Sequence, residues 1–318
     1  MSYLEFEWKG QLYKIDKLLA ETLASLVYNV QDDWDFCVVI TGNRLVRTGK
    51  SVLCMTCCAF CAYLLKKLGL NDNAYDEDHI FFDSKQMLDK VQEFPKNSIV
   101  HLDEARESLA ASKTAMQTQT DVLDFFAECG ALNHLFFLVM PDYFEMKENM
   151  SVSRSEILLN VFRENSIVHK DFMGDGIKRP IVMFKRGYFR LYNREAKALM
   201  YDLFRTTRAK NYNSVKPTFP TGMFINQYCG IDEKKYRQMK ADALARFKEK
   251  HNPANKKSKR EIELDRREGL YLELMKERGI LQKDISDKVG IHRTTITKIL
   301  REKDLFDKKQ DTGYVDVV

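Results

Sequence analysis

Ile40-Thr41-Gly42-Asn43-Arg44-Leu45-Val46-Arg47-Thr48-Gly49-Lys50-Ser51 decides how this chain is read. An apolar run from Phe36 to Ile40 precedes it, and an apolar helical pattern from Val52 to Leu68 follows. A buried strand feeding a loop that ends in Gly-Lys-Ser and opens a helix is a physical arrangement for holding a triphosphate. Helix-start N–H groups point at the phosphates, the lysine neutralises their charge, and the serine hydroxyl ligates Mg2+. Gly42, Arg44, Arg47, Thr48, Gly49, Lys50, Ser51 and Val52 are therefore the candidate nucleotide-binding residues. The usual pattern has a glycine where Arg44 stands, and the nearest glycine, Gly42, comes two residues earlier.

A second stretch, Ser98-Ile99-Val100-His101-Leu102-Asp103-Glu104-Ala105, reads as an apolar strand that delivers two carboxylates at its carboxyl end. Ligands of open α/β sheets sit at those ends. Asp103, with Ser51, is the candidate Mg2+ residue. Glu104 is the candidate for orienting or deprotonating the water that attacks a γ-phosphate, with Lys50 as its catalytic partner. The two stretches together, with one βα unit between them, point to a P-loop ATPase using ATP and Mg2+.

Around these motifs the pattern alternates. Leu4 to Ile15 reads as a hairpin, and Asp16 caps a helix to about Val30. Strands are expected at Phe36–Ile40, His79–Asp83, Ser98–Asp103, Leu135–Met140 and Glu156–Phe162, with helices at Ser51–Leu68, Ser84–Phe94 and Asp121–Cys129. Strands separated by helices at this rhythm mean βαβ units and a mostly parallel sheet. From Pro180 the rhythm changes. A hairpin pivoting near Arg186-Gly187 is expected, then a helix from Asn193 to about Thr206, an irregular stretch 207–231 and a helix Asp232–Lys250. The expected organisation is an N-terminal hairpin and helix packed on the core (1–34), the ATPase core with its C-terminal hairpin (35–207), an irregular segment and helix (208–253), a basic linker (254–266), a helix-turn-helix (267–306) and a tail (307–318).

Hydrophobic residues make up 44% of the chain and charged residues 31%, which describes a globular protein with a real core. The net charge of +5 is mild, but the basic excess gathers after about residue 205, most densely from Lys256 to Arg267, and favours an acidic partner. The first residues lack a basic segment followed by an apolar one, and no apolar run approaches the ~20 residues needed to cross a bilayer. A cytoplasmic protein with reduced thiols is expected. Of the seven cysteines, Cys54, Cys57, Cys58 and Cys61 share one helical face, where small buried apolar side chains are the simple reading. The histidines show no metal-ligand spacing, and none is read as a ligand.

A glutamate directly after the Mg2+ aspartate, in "IVHLDEAR", resembles the glutamate-bearing branch of RecA-like P-loop ATPases. More narrowly, residues from about Asp35 to Phe162 resemble the FtsK/HerA superfamily of DNA-pumping motors and its small viral and plasmid members of the zonular-occludens-toxin-like and packaging kinds. The resemblance implies a three-layer α/β fold in which the fourth strand lies between the loop strand and the Asp103 strand. It also implies a ring homo-oligomer, often hexameric, with ATP bound between subunits. Such motors keep a polar sensor at the end of the fourth strand, where this chain has Met140-Pro141-Asp142. Arg154, ahead of the fifth strand, matches the place where similar proteins keep an arginine and is the candidate finger, with Arg163 and Arg106 as rivals.

Gln282 to Leu300 resembles a helix-turn-helix, forming a small all-α domain. Ser286 is small enough for close helix approach, Gly290 permits the turn, and Ile285, Ile291, Ile296 and Ile299 supply the apolar contact. His292, Arg293, Thr294, Thr295, Lys298 and Arg301 would face a major groove and its phosphates. The expected function is a DNA-stimulated ATPase acting on double-stranded DNA for packaging, transfer or segregation in a virus or mobile element, with Ser112 to Thr120 as a candidate pore loop. The alternatives are an ATP-gated DNA-binding regulator and a nucleotide-dependent scaffold with little turnover.

Overall fold

A computed structural model of the chain describes residues 2–42, 47–103, 125–126 and 129–250. Arg44, Glu104, Arg106, the Ser112–Thr120 stretch, the basic linker, the helix-turn-helix with all six candidate DNA-contacting residues, and the tail lie outside these residues. The chain divides into a unit Met1–Ala243 and a second unit Leu244–Val318. Of the second, only 244–250, the last turns of a helix, are described.

The organising element of the first unit is β3 (Phe36–Gly42), buried along nearly its whole length. Its side chains alternate between two cores, as strand geometry requires. Val38 and Ile40 face one core, built from the hairpin β1 (Tyr3–Trp8) and β2 (Gln11–Asp16), α1 (Lys17–Val30) and α2 (Lys50–Lys67). Cys37 and Val39 face the other, which includes Met87 and Val91 of α3 (Ser84–Val91) and Met200 and Tyr201 of α4 (Arg194–Thr207). A sheet covered on both faces makes three layers.

The remaining strands are β4 (Ile80–Phe81), β5 (Ile99–Leu102), β6 (Leu135–Val139), β7 (Ile157–Lys170), β8 (Arg179–Tyr192) and β9 (Phe219–Met223). The sheet order is β4-β5-β6-β3-β7-β8-β9. Every pairing from β4 to β7 is parallel, while β7–β8 and β8–β9 are antiparallel. The sheet is thus mostly parallel, and β6 lies between β3 and β5.

α2 is apolar all round because it is buried all round. Residues from Val52 to Ala62 are all inaccessible, including the four cysteines on its face. Phe60 meets Phe6 of the hairpin edge-on at 5.3 Å, which locks β1–β2 over the helix. Asp16 caps α1 as its position implied, accepting from the backbone N–H of Leu18 (3.0 Å) and Leu19 (3.3 Å). α3 is capped by Asp83, whose carboxylate accepts from the Lys85 and Gln86 N–H groups.

The region after β6 differs from the expected pattern. The hairpin does not pivot at Arg186-Gly187. β7 runs on to Lys170, the turn falls within 171–178, and β8 passes straight through residues 186–187. Gly187 sits at φ +96 because β9 passes close by: a Cβ there would lie 2.7 Å from the carbonyl oxygen of Phe224. A strand glycine marking close backbone approach looks in sequence like a turn glycine. The 207–231 stretch contains β9, and the first unit takes in α5 (Glu233–Lys250) as far as Ala243. Residues 208–243 are therefore part of the body that carries β3. Among the described residues no helix is long and apolar enough to cross a membrane.

One buried group makes the fold acid-sensitive. His134, fully inaccessible just before β6, accepts from the Ser98 N–H at its Nδ1 (3.2 Å), and its Nε2 lies 3.3 Å from the Val91 carbonyl oxygen. The neutral Nε2–H tautomer satisfies both contacts. Burial, the largest effect, lowers its pKa from 6.5 to about 4. The unfolded chain therefore takes up the proton first as the pH falls. The contribution is complete above pH 6.5 and is lost as the pH drops towards 4, about 3 kcal/mol in all. Denaturant midpoints between pH 7 and pH 4 are expected to fall less steeply in His134→Gln than in the parent chain. Equal slopes would overturn the assignment.

Candidate functional site

The carboxyl end of β3 delivers Gly42, where any side chain would collide. A Cβ there would lie 2.9 Å from the Val161 carbonyl oxygen, 3.3 Å from Thr48 Oγ1 and 3.4 Å from Lys50 Cδ. The chain returns through Arg47, at φ +58 and exposed, and through buried Thr48. It then reaches Gly49, which caps α2 in the left-handed region at φ +97 with no side-chain hydrogen bond to the helix start. α2 begins at Lys50, followed by Ser51 and Val52. A helix whose first turn is capped by glycine alone presents backbone donors, and the positive end of its dipole, to whatever occupies the loop. The aliphatic stem of Lys50 lies along Gly42, so its ammonium is carried to that same end.

β5 ends beside this helix start. The Ser51 hydroxyl donates to both Asp103 carboxylate oxygens, at 3.0 and 3.3 Å. The two candidate Mg2+ residues, far apart in sequence, thus meet at the carboxyl end of the sheet. Asp103 is 1% exposed. Burial alone would push its carboxyl up. The Lys240 ammonium, His101, and hydrogen bonds from Tyr236 and Lys240 outweigh that and hold it below the ordinary carboxylate range. A hydroxyl and an ionised carboxylate in contact, with a cation already drawn to the carboxylate, form an oxygen donor set suited to Mg2+.

Sequence reasoning missed that cation. α5 brings two side chains one turn apart onto Asp103: the Tyr236 hydroxyl donates to Oδ2, and Lys240 Nζ lies 3.1 Å from the same oxygen. Phe82 packs against Tyr236 at 5.6 Å and under the Lys240 ammonium at 6.0 Å. Phe224, just after β9, presses on the loop itself, so that a Cβ on Gly49 would come within 3.0 Å of its ring. At the end of β6, Asp142 is buried and accepts from the Tyr212 hydroxyl (3.0 Å), with Lys210 at 3.5 Å. A carboxylate therefore stands where a polar sensor was sought.

Arg154 is placed elsewhere. It ends a π-helical turn ahead of β7 and pairs with both carboxylate oxygens of Asp35, the residue before β3. This is the end of the sheet opposite Gly42, so Arg154 does not reach the loop of its own chain. Arg163, two residues past the Val161↔Gly42 pairing, lies at the loop end of the sheet, its guanidinium 4.1 Å from the Phe184 ring.

No protein-family model matches the chain, and no curated protein matches it. Several solved structures do. The N-terminal domain of zonular occludens toxin from Neisseria meningitidis aligns at 12% identity over 64% of this chain and 98% of its own, with a TM-score of 0.32. The genome-packaging NTPase of Sulfolobus turreted icosahedral virus 2, in complex with AMPPCP, aligns at 10% identity over 51% of this chain and 94% of its own, at 0.30. The DNA-packaging ATPase of Sulfolobus turreted icosahedral virus aligns at 13% identity over 52% of this chain and 95% of its own, at 0.31.

Proposed function

We propose that the chain is a P-loop ATPase and that it works on double-stranded DNA as a packaging, transfer or segregation motor. The observation that carries the enzyme reading is the Ser51–Asp103 contact beneath the glycine-capped start of α2. In this reading the first-turn N–H groups and Lys50 hold the phosphates, with Gly42, Arg44, Arg47, Thr48, Gly49 and Val52 shaping the loop around them. Ser51 and Asp103 hold Mg2+, which supplies charge neutralisation on the phosphates when bound. Glu104, the residue after Asp103, orients the attacking water and takes its proton. The DNA half of the proposal rests on the sequence of 254–306, with His292, Arg293, Thr294, Thr295, Lys298 and Arg301 as groove and phosphate contacts. The deciding experiment is ATP turnover with and without double-stranded DNA, with Lys50→Ala and Glu104→Gln as controls. DNA-stimulated turnover lost in both variants is the expected result.

A ring would give Arg154 a role that its own chain cannot. Presented by one subunit to the site of the next, it would stabilise transition-state charge. Arg154→Ala is then expected to abolish turnover while sparing ATP binding. Turnover that persists in a less stable protein would reduce Arg154 to its Asp35 ion pair and pass the role to Arg163.

One observation favours the second reading, an ATP-gated DNA-binding regulator. Lys240 and Tyr236 already occupy Oδ2 of the Asp103 carboxylate, so a cation bound at that oxygen would displace them. α5 continues into the second unit, and its movement would report nucleotide to the residues beyond. Operator-specific footprinting that depends on ATP, with little turnover, would select that reading.

A further inference from the structure

The contact between α2 and β5 behind the Asp103 carboxylate carries a second constellation, independent of the nucleotide site. Cys54 and Cys58, one turn apart on α2, bring their Sγ atoms to 3.9 Å. His101 of β5 faces them, and the three candidate ligand atoms all lie within 4.8 Å of one another. It is the one such group of His, Cys, Asp and Glu side chains found among the described residues. All three residues are fully buried.

Three features suit this group to a metal ion. First, two sulfurs bound tetrahedrally to zinc at about 2.3 Å lie about 3.8 Å apart, which is the separation seen here. Second, His101 Nε2 is buried with no hydrogen-bond partner, while Nδ1 lies 3.0 Å from the Tyr75 hydroxyl. Leaving a buried ring nitrogen without a partner costs about 1–3 kcal/mol, which a bound metal would recover. A ligating histidine uses one nitrogen for the metal and anchors the other on an oxygen. Third, the charges balance. Two thiols that each release a proton to solvent give two thiolates, and with a divalent ion and a neutral imidazole the group has no net charge. A neutral group suits a buried site beside the ionised Asp103, whereas a monovalent ion would leave uncompensated negative charge there.

We propose that Cys54, Cys58 and His101 supply three of the four ligands of a zinc ion that braces α2 against β5, with a water as the fourth. These are the elements that carry Lys50 and Ser51 on one side and Asp103 on the other, so the brace would fix the spacing on which their contact depends.

The test is metal content of the full chain, purified under reducing conditions, exposed to Zn2+ and dialysed. About one tightly held zinc per chain is expected. Cys58→Ser and His101→Gln are expected to weaken its retention by at least about tenfold. Cys61→Ser, equally buried on the same helix but outside the group, should keep it. Should Cys58→Ser or His101→Gln fail to fold, Co2+ added to the parent chain reads the site directly, with thiolate-to-cobalt charge-transfer absorption as the expected signature. A folded parent chain that retains no zinc, retention of zinc by folded Cys58→Ser, or bound Co2+ without thiolate charge transfer would each overturn the proposal.

Discussion

Lys50→Ala is expected to lower ATP turnover by at least about a hundredfold and to weaken nucleotide binding, with the fold intact. Removing one preorganised charge from a phosphoryl-transfer site has an effect of that order. The position explains why the loss should be confined to function. Lys50 is the first residue of α2, half-exposed at the helix start, and the helix is held in the core from Val52 onward by side chains that the substitution does not touch. Its stem lies along Gly42, so truncation takes the ammonium from the one end of the sheet where loop, helix start and Asp103 converge. Two companion substitutions sharpen the result. Ser51→Ala should impair Mg2+-dependent binding more than Mg2+-independent binding, because it removes the hydroxyl that reaches both Asp103 oxygens. Glu104→Gln should leave binding intact and remove turnover. A Lys50→Ala chain that binds and hydrolyses ATP like its parent would remove the enzyme reading, since every other assignment at the site follows from the loop.

The parts of this site that local sequence encodes were legible from it. A strand, a glycine-capped helix start and a carboxylate at the end of another strand are each specified within a dozen residues, and the register of a parallel sheet brings their carboxyl ends together. The burial of the α2 cysteines was legible for a similar reason, since an all-apolar helix has no face to give to water. Contacts made across the chain left no mark in it. Tyr236 and Lys240 reach Asp103 from 133 and 137 residues away. One turn apart on a charged helix, they look like any solvated pair. His101 could be read as a strand residue but not as a neighbour of Cys54 and Cys58, because that proximity depends on how β5 seats against α2. Gly187 misled for the opposite reason: its positive φ belongs to a turn in most chains, and here it makes room for Phe224 alongside β8. The ends of the sheet decided the position of Arg154. Its place ahead of β7 was correct in sequence, but a parallel strand begins at the end remote from the loop.

Lys240→Met is expected to shift the balance between the empty and the occupied site in opposite directions. The ammonium now pairs with a carboxylate that is 1% exposed, and the lysine is itself only 29% exposed. Removing one partner of a buried pair leaves the other charged, with only the neutral Ser51 and Tyr236 hydroxyls as partners, so the nucleotide-free variant should lose stability by about 3 kcal/mol. Methionine keeps an unbranched stem over the Phe82 ring, so the loss comes from charge and not from packing. If Mg2+ binds at Oδ2, the parent chain releases both Lys240 and the Tyr236 hydroxyl, whereas the variant has only the neutral Tyr236 hydroxyl to release. Its Mg2+–ATP affinity should therefore rise, by about tenfold if the displaced contact is worth about 1.4 kcal/mol net. Thermal denaturation with and without Mg2+–ATP reads both effects at once: a lower midpoint without ligand and a larger ligand-induced rise than in the parent. Tyr236→Phe should reproduce the pattern on a smaller scale, because it removes a neutral donor from the same oxygen. If the variant instead binds Mg2+–ATP more weakly than the parent, Lys240 supports the bound nucleotide and does not guard the empty site. The gating role of α5 would then fall, along with the regulator reading that depends on it.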